Sequence, residues 1–438
     1  MGIQNFPAAL QPIIQQGFLE RRFQTGLRSR IGFRDIADRE QFPNKIGETI
    51  TKTRTGLKAP VTTPLTPSAN TNLDNGLTPA GWTIEQYVLS INMYGDTIDL
   101  NTVTQGVGIA RQFLTNAEVN GVQAAQSIDR LARDALYGSY LGGNTRVTAT
   151  LGSPGTTVAV DDIRGFQYVM YNGVMVPTSV SHPMTVTIGA SSYTCSGATA
   201  DGSNVSTAPN GISGTLTTTA NVSTANATAG NAVTAATGTA MIFAGTSNYT
   251  TADIAAGDTL KMSNVLQAVA TLRSNNVPSI NGSYNVYLDD KQLLGLFADD
   301  DFKLLYRGAY GSSEYRTGQI IELLGARFIT TNEAPQQTLS GVRIHRAVVC
   351  GQGALIEGDY SDIGYTEAIP EQEAGLIAIV DDICMVTREP LDRLKQIIAQ
   401  SWYWIGGFAV PTDVTANTNI IPTASNAYLK RAVVIESA

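Results

Sequence analysis

The sequence predicts an α+β protein with an all-β module inserted into it, and three features of the chain indicate this. A long amphipathic helix lies in the first third of the chain, and helices and strands alternate in the last half. Between them, the stretch from Val147 to Thr251 is rich in Ser, Thr, Ala, Gly, Asn and Val. Its only Asp, Glu, Lys or Arg residues are Asp161, Asp162, Arg164 and Asp201. Such a shift in composition predicts a separate β-rich domain.

The composition excludes several classes of protein. A chain of 438 residues with 43% hydrophobic residues can bury a large core and form two or three domains. Its net charge of −8 argues against a protein whose whole surface binds nucleic acid. No apolar run is long enough to span a bilayer, and we expect neither a secretory signal nor a membrane partner. The three widely spaced cysteines are predicted to be free thiols.

Arginine is dense between Phe18 and Lys45. Leu19, Phe23 and Leu27 recur at helical spacing, which predicts a short helix followed by an extended arm. The basic residues leave two interpretations open. They either form a solvated or salt-bridged face, or they line an inward-facing arm that contacts phosphates.

Two strand-like segments follow, Gly47–Lys58 and Trp82–Asn92. The segment between them is polar and contains prolines, so it cannot continue the core of a sheet. The pattern predicts an extended hairpin, which has too little core to be stable alone and should lie on a neighbour.

The clearest helix is predicted over Asn116–Tyr140, where apolar residues recur at three- and four-residue spacing. At that length it would measure about 37 Å. The pairs Asp129–Arg133 and Arg130–Asp134 are expected on its solvent side. Gly142 and Gly143 are expected to end it.

The remaining elements alternate between helix and strand. We predict a helix capped by Ser263, a strand at Tyr284–Leu288 and a second helix capped by Asp289. Further strands are predicted around Ala326–Thr330, Ile344–Val349, Leu376–Val380 and Tyr428–Ile435. Pro390–Trp404 is compatible with either a helix or a strand, and its second half favours a strand.

No residue set with catalytic, cofactor-binding or metal-binding spacing occurs in the sequence. His182 and His345 have no motif around them, and both are interpreted as ordinary or satisfied positions. Asp299–Asp301 is interpreted as a turn at the end of a helix, because consecutive carboxylates do not converge on one ion. The sequence therefore predicts a structural protein that is not an enzyme and has no cofactor.

The order of these elements resembles that of tailed-bacteriophage major capsid proteins of the Hong Kong 97 type. Four parts of the chain carry the resemblance: Phe42–Ile50, the run of Leu266–Pro278, Tyr284–Leu288 and Leu293–Leu296, then Gly318–Ile329, and Glu389–Val410. It implies the Hong Kong 97-type capsid fold, with N-arm, extended loop, spine helix in a peripheral domain, and axial domain. The implied division is 1–45 N-terminal helix and arm, 46–95 extended loop, 96–146 spine helix, 147–256 inserted β-rich domain, 257–385 axial domain and connecting strands, and 386–438 closing peripheral strands.

The resemblance implies a major capsid protein that assembles into pentamers and hexamers of an icosahedral head around double-stranded DNA. Implied partners are other copies of the chain, portal and scaffolding proteins, a decoration protein, and packaged DNA contacted non-specifically. The implied location is the virion, with assembly in the host cytoplasm. The residues expected to make contacts between subunits are Arg21, Arg22, Arg28, Arg30, Lys52, Arg54 and Lys58.

Two other functions remain open at this point. An encapsulin-like compartment shell would share the fold but enclose protein, and the large Thr/Ser/Gly-rich segment counts against it. A β-rich surface adhesin would suit that segment, but the long helix counts against it.

Overall fold

The computed structural model describes residues 10–11, 18–28, 32–41, 49–55, 84–101, 109–140, 143–160, 163, 166–171, 174–201, 213–235, 241–246, 248, 254–303, 322–339, 341–359, 377–390, 392–394, 396–411 and 431–438. The helices in these ranges include α1 (Phe18–Arg28), α2 (Ile109–Tyr140), α3 (Met262–Ser274) and α4 (Asp290–Ala298), with a 3₁₀ turn at Phe33–Ile36.

The strands fall into an earlier and a later group along the chain. The earlier strands are β1 (Ala37–Gln41), β2 (Thr49–Thr55), β3 (Ile84–Ser90), β4 (Asn92–Asn101), β5 (Asn144–Arg146), β6 (Gly155–Val160), β7 (Tyr168–Tyr171), β8 (Val174–Pro177), β9 (Met184–Ile188), β10 (Ser191–Ala200), β11 (Gly214–Val222), β12 (Ala232–Ala235) and β13 (Met241–Phe243). The later strands are β14 (Tyr284–Leu288), β15 (Glu322–Leu323), β16 (Ala326–Thr330), β17 (Gln336–Leu339), β18 (Val342–Cys350), β19 (Leu355–Asp359), β20 (Ile377–Val380), β21 (Ile383–Arg388), β22 (Ile397–Ala409) and β23 (Ala432–Ser437).

The chain divides into two compact units. The first unit contains Met1–Ile50, Val88–Arg133 and Leu355–Ala409, and the second contains Thr51–Tyr87, Asp134–Ala354 and Val410–Ala438. Strands β2 and β3 pair with each other in a two-stranded sheet, as the predicted hairpin requires. The tip of that hairpin lies outside the described residues. The six-part division of the sequence stays a prediction.

The first unit is built on a six-stranded sheet whose longest strand is β22. The strand order is β1-β19-β22-β21-β20, and β4 pairs with β22 on the side opposite to β21. Burial alternates along β22, so that Ile398, Trp402 and Trp404 enter the core. This period of two decides the ambiguous segment, and the strand predicted for its second half is confirmed.

Helix α2 packs in the same core, through apolar residues such as Phe113, Ala117 and Ile128. It begins at Ile109 rather than at the predicted Asn116, so its 32 residues measure about 48 Å. The additional turns carry Phe113, which is fully buried and extends the apolar stripe towards the N-terminus.

One prediction for this helix is wrong. Asp129 and Arg133 were expected on the solvent side, but both are buried. The reason is that the segment following α1 covers this face of the helix. The Asp129 carboxylate accepts hydrogen bonds from the backbone N–H groups of Gly32 and Arg34, at 2.9 and 3.1 Å.

The second unit contains a mixed sheet with the order β13-β23-β18-β14-β16-β15, and β17 pairs with β18. Helices α3 and α4 contribute apolar residues to its core, among them Val265, Leu272 and Leu296. Strand β14 is buried along its whole length, including the polar Asn285, as expected for a strand with neighbours on both edges.

The helix caps agree with one prediction and correct another. Asp289 caps α4 as predicted, since its carboxylate accepts the Gln292 N–H at 2.8 Å. Ser263 does not cap α3, because the helix already begins at Met262 with Lys261 as its N-cap residue. The Asn264 side chain accepts the Lys261 N–H at 3.2 Å, and the Asp299 carboxylate accepts the Met262 N–H at 2.9 Å, so two of the free N–H groups at this helix start have partners.

A second sheet of this unit has the order β5-β12-β9-β10-β11-β6, and all its strands except β5 lie within the charge-poor stretch. A bridge between Val147 and Val160 joins its two outer strands, and the Thr148 N–H donates to the Ala159 carbonyl at 2.9 Å. The sheet therefore closes as a small barrel. Its apolar cluster contains only residues of this stretch, including Val158, Val186 and Leu216.

The outer face of the barrel carries hydroxyl groups. None of the strands β6 and β9–β12 contains a charged residue. A bulge between Cys195 and Gly197 keeps the hydroxyl residues of β10 on the outer side. The outward hydroxyl residues are Thr157, Thr185, Thr187, Ser192, Thr194, Thr199, Thr215, Thr217, Thr219 and Thr234.

Candidate functional site

The residues expected to contact other subunits lie on α1 and β2 where they are described. Arg21 lies over the ring of Phe18, with 6.0 Å between guanidinium and ring centroid. Arg22 forms an ion pair of 3.4 Å with Glu118 of α2, and both side chains are about half exposed. Arg30, Lys58 and the side chain of Arg28 lie outside the described part of the chain. The contact role of these residues stays a prediction.

The two expected residues on β2 differ in their surroundings. Lys52 is half-buried, and Arg54 donates a hydrogen bond from Nη1 to the Gly353 carbonyl at 2.9 Å. This bond ties β2 to the loop that precedes β19.

The segment after α1 is fixed in the first unit by a buried ion pair. Arg34 donates from Nη2 and Nε to both carboxylate oxygens of Glu357, at 2.6 and 3.1 Å. Both side chains are at least 95% buried. The Arg34 guanidinium also lies 5.9 Å from the ring of Trp404. We call Arg34, Arg39, Asp129, Glu357 and Asp382 the arm anchor.

The outer part of the arm anchor is a more exposed pair between Arg39 and Asp382, whose closest atoms are 2.5 Å apart. Asp381 and Asp382 form the turn between β20 and β21 with φ values of 49° and 66°. Aspartate tolerates this left-handed conformation better than most residues, so the sequence pair suits the turn.

The arm anchor holds β1 parallel to β19, with Arg39 opposite Glu357 in the register. Burial raises the pKa of the neighbouring Asp35 carboxyl, and the positive charges of Arg34 and Arg39 oppose that rise. The anchor thus fixes the base of the N-terminal segment by charge as well as by strand pairing.

A second polar cluster lies in the second unit around Asp289 and His345. His345 is buried on β18, and its Nδ1 pairs with Oδ2 of Asp289. Gln336 of β17 donates to the same oxygen at 3.2 Å. Burial acts to raise the pKa of Asp289, but hydrogen bonds from His345 and the Gln292 N–H outweigh it and lower the pKa overall. The interpretation of His345 as a satisfied position is confirmed.

The described residues do not gather into a metal site or a membrane span. No group of three or more His, Cys, Asp or Glu side chains among them is placed to hold a metal ion. No helix in the same ranges combines the length and apolar character that a bilayer requires. Cys195, Cys350 and Cys384 are free thiols, as predicted. All three are buried, and burial raises the pKa of each thiol.

The sequence reasoning missed the arm anchor. Arg34 and Glu357 are 323 residues apart, and neither stands in a recognisable motif. The high density of arginine and acidic residues between Phe18 and Lys45 was the only available signal, and it did not identify a partner.

Comparisons with known proteins give the fold. No protein-family model and no curated protein matches the chain. The capsid protein of Ralstonia phage GP4 has a TM-score of 0.51 and 10% identity, with 94% of this chain and 92% of the phage chain covered. The capsid protein of cyanophage P-SCSP1u has a TM-score of 0.49 and 11% identity, with coverage of 93% and 89%.

Sequence identity this low gives information about the fold only. The GP4 match extends over nearly the whole of both chains, and it agrees with the mixture of helices and strands and with their predicted order. The chain therefore has the phage capsid fold that the resemblance to the Hong Kong 97 type implies.

Proposed function

We propose that this chain is a major capsid protein, a shell subunit that assembles into pentamers and hexamers of an icosahedral phage head. The observation that carries the proposal is the fold shared with the GP4 capsid protein over 94% of this chain. The proposed activity is assembly, and no reaction is assigned to any residue.

The arrangement of the N-terminal segment supports this function. A shell subunit needs a rigid base from which an arm can reach a neighbour, and the arm anchor supplies one through a buried bidentate ion pair. Arg21 and Arg22 lie exposed on α1, just before this base. We propose that they contact adjacent subunits, together with Arg28, Arg30 and the β2–β3 residues Lys52, Arg54 and Lys58.

Weak contacts of this kind become strong by repetition. An exposed ion pair is worth about 0–1 kcal/mol. In a closed symmetric shell each contact recurs in every copy, and a subunit held at several points dissociates far more slowly than one held at a single point.

We also propose the partners that such a shell requires. They are double-stranded DNA contacted without sequence preference, portal and scaffolding proteins, and a decoration protein. The net charge of −8 supports a lining along which DNA can be packed without adhering. The proposed location is the virion, after assembly in the host cytoplasm, and the barrel is proposed to be a domain inserted into the capsid fold.

Electron microscopy of the purified full-length chain tests the proposal. We expect closed shells or rings of five and six subunits. A species that stays monomeric over the whole accessible concentration range contradicts it. Extraction of particles from infected or expressing cells, followed by nuclease treatment, separates a DNA-filled head from a compartment shell that encloses protein.

A further inference from the structure

We propose that the turn between β15 and β16 is a contact point for a second copy of this chain, with the exposed Leu324 as its anchor. The inference rests on the proposed assembly into rings and names two surfaces that meet there. Leu324 is 46% exposed at the tip of this hairpin. Its φ is 54° and that of the next residue, Gly325, is 81°, so both central residues of the two-residue turn are left-handed.

Leucine is an unfavourable residue for this turn. Two-residue turns with two left-handed residues favour Asn-Gly, because asparagine tolerates a positive φ better than a bulky apolar residue does. Another turn of the same chain follows this preference: between the paired Ile280 and Ser283, Asn281 has φ 52° and Gly282 has φ 90°. Leu324 combines backbone strain with an exposed apolar side chain, and strain of this kind clusters at functional sites.

Two arginines surround the leucine. Arg273, in the last turn of α3, lies against the backbone of the turn, since a Cβ atom on Gly325 would be 2.4 Å from its Nη2. Arg327 is exposed on β16, opposite Glu322 in the register. Neither arginine has an ion-pair partner among the residues that the structure describes. We call Leu324, Arg273 and Arg327 the basic tip, because positive charge is in excess there.

The other end of α3 has an exposed leucine with acidic neighbours. The Met262 N–H at the start of this helix donates to Oδ2 of Asp299 at 2.9 Å, which places the residues that follow α4 at the N-terminal end of α3. Leu294, one turn before the end of α4, is 63% exposed. Asp301 is also exposed and has no ion-pair partner in the described part of the chain. We call Leu294, Asp299 and Asp301 the acidic end.

The two surfaces are complementary in charge, and each contains one exposed leucine. At the acidic end Lys303 compensates Asp300 at 3.1 Å, which leaves Asp301 as the unpaired charge. The dipole of α3 favours a cation at its C-terminal end and so accounts for Arg273, but it does not account for Arg327 or Asp301.

The position of the two surfaces makes the contact one between copies. Helix α3 has 13 residues, so its ends are about 20 Å apart. At that separation the basic tip and the acidic end do not meet within one chain, and the basic tip of one copy faces the acidic end of the next. Head-to-tail contacts of this kind close into rings when the rotation between copies allows it.

A single substitution separates a contact role from a structural role, because the two roles predict opposite results. Leu324→Asn relieves the strained turn, so the melting temperature of the unassembled full-length chain should rise by about 2 °C. The same substitution removes the apolar anchor and should raise the concentration needed for assembly about tenfold, measured by light scattering and electron microscopy. Asn281→Leu is the matched control in the other turn, and it should lower the melting temperature without changing assembly.

Charge reversal identifies the surface that the basic tip contacts. Arg327→Glu and Asp301→Arg should each weaken assembly, whereas the double variant should recover part of it, because the reversed charges attract each other again. A double variant that assembles no better than the single variants overturns the pairing of the two surfaces.

The remaining outcomes distinguish this inference from the proposed function. Wild-type assembly that Leu324→Asn leaves unchanged overturns the inference alone, and so does a lower melting temperature of Leu324→Asn, which would give the leucine a structural role. A wild-type chain that stays monomeric overturns both the inference and the proposed function.

Discussion

Arg34 and Glu357 show how one pair of residues defines the base of the N-terminal segment. Each has lost nearly all its contact with water, a loss that costs several kcal/mol per charge unless the partner compensates. The bidentate geometry and the nearby ring of Trp404 provide that compensation. The pair supports the observed register of β1 on β19, in which Arg39 lies opposite Glu357.

Glu357→Gln should lower the free energy of unfolding of the first unit by about 3–5 kcal/mol, since it leaves the buried Arg34 charge without its partner. Denaturant unfolding followed by tryptophan fluorescence measures this, because Trp402 and Trp404 lie in the same core. Glu118→Gln is the control. It breaks the exposed pair with Arg22 and should cost less than about 1 kcal/mol. Equal effects of the two substitutions would contradict the role given to burial.

The ionisation of the Asp289 carboxyl is expected to make the folding stability of the chain depend on pH. Its pKa is lowered from the ordinary value of 3.8, so the folded chain binds the proton less tightly than the unfolded chain. The resulting stabilisation is complete above pH 3.8 and is lost as the pH falls through the lower folded value.

The melting temperature of Asp289→Asn should therefore lie below that of the wild type at about pH 6, and the difference should narrow towards about pH 3. Asp290→Asn changes the adjacent carboxyl, which is exposed, and serves as the control. A difference that stays constant with pH would show that the Asp289 charge makes no contribution.

At the scale of the elements, periodicity predicted the type of most elements that turn one face to the core, although it missed the first turns of α2 and left the first half of Pro390–Trp404 open. Helix α2, strand β22 and the capped helix α4 were predictable because their apolar residues recur at 3.6 or 2 positions. The burial of Asp129 was not predictable. A polar stripe on a helix looks the same in sequence whether water or another backbone satisfies it.

The close contact between α1 and α2 was not predictable from periodicity either, because it depends on one glycine, Gly26. A Cβ atom on Gly26 would lie 2.5 Å from the Glu118 carbonyl oxygen and 3.0 Å from the Val122 nitrogen. Only glycine therefore allows the two helices to approach this closely.

Gly26→Ala should separate α1 from α2 and cost about 1–3 kcal/mol, although alanine is the better helix former. Hydrogen exchange of the α1 amides should become faster. Thr25→Ala, at the adjacent exposed position, should leave the exchange rates of α2 unchanged and affect α1 only slightly. Slower exchange in Gly26→Ala would show that helix propensity outweighs the close contact.

At the scale of the whole molecule, the barrel has an apolar core of its own within the second unit. Its core cluster contains none of the residues that form the neighbouring mixed sheet. The chain enters and leaves it on adjacent strands, with Thr145 opposite Val233. The Ala235 N–H donates to the Gly143 carbonyl at 2.8 Å. Composition predicted a β-rich module here, whereas its closure as a barrel depends on a bridge that no local pattern encodes.

Replacing residues 144–235 by a short Gly/Ser linker should leave the rest of the chain folded, because the joined ends are already neighbours. Circular dichroism and electron microscopy of the shortened chain measure this. A shortened chain that is insoluble or unfolded would contradict it. A matched deletion of the α3–α4 segment, which removes part of the main core, should abolish folding.

The hydroxyl-bearing outer face of the barrel determines how this surface interacts with water and salt. Strands that present hydroxyl groups without fixed charge hold water through neutral hydrogen bonds and gather no layer of counterions. In colloidal terms, the outer faces of β6 and β9–β12 form a nonionic surface. Two such surfaces have no electrostatic repulsion at low salt and no electrostatic attraction for high salt to screen. Their interaction with each other and with water is therefore independent of ionic strength.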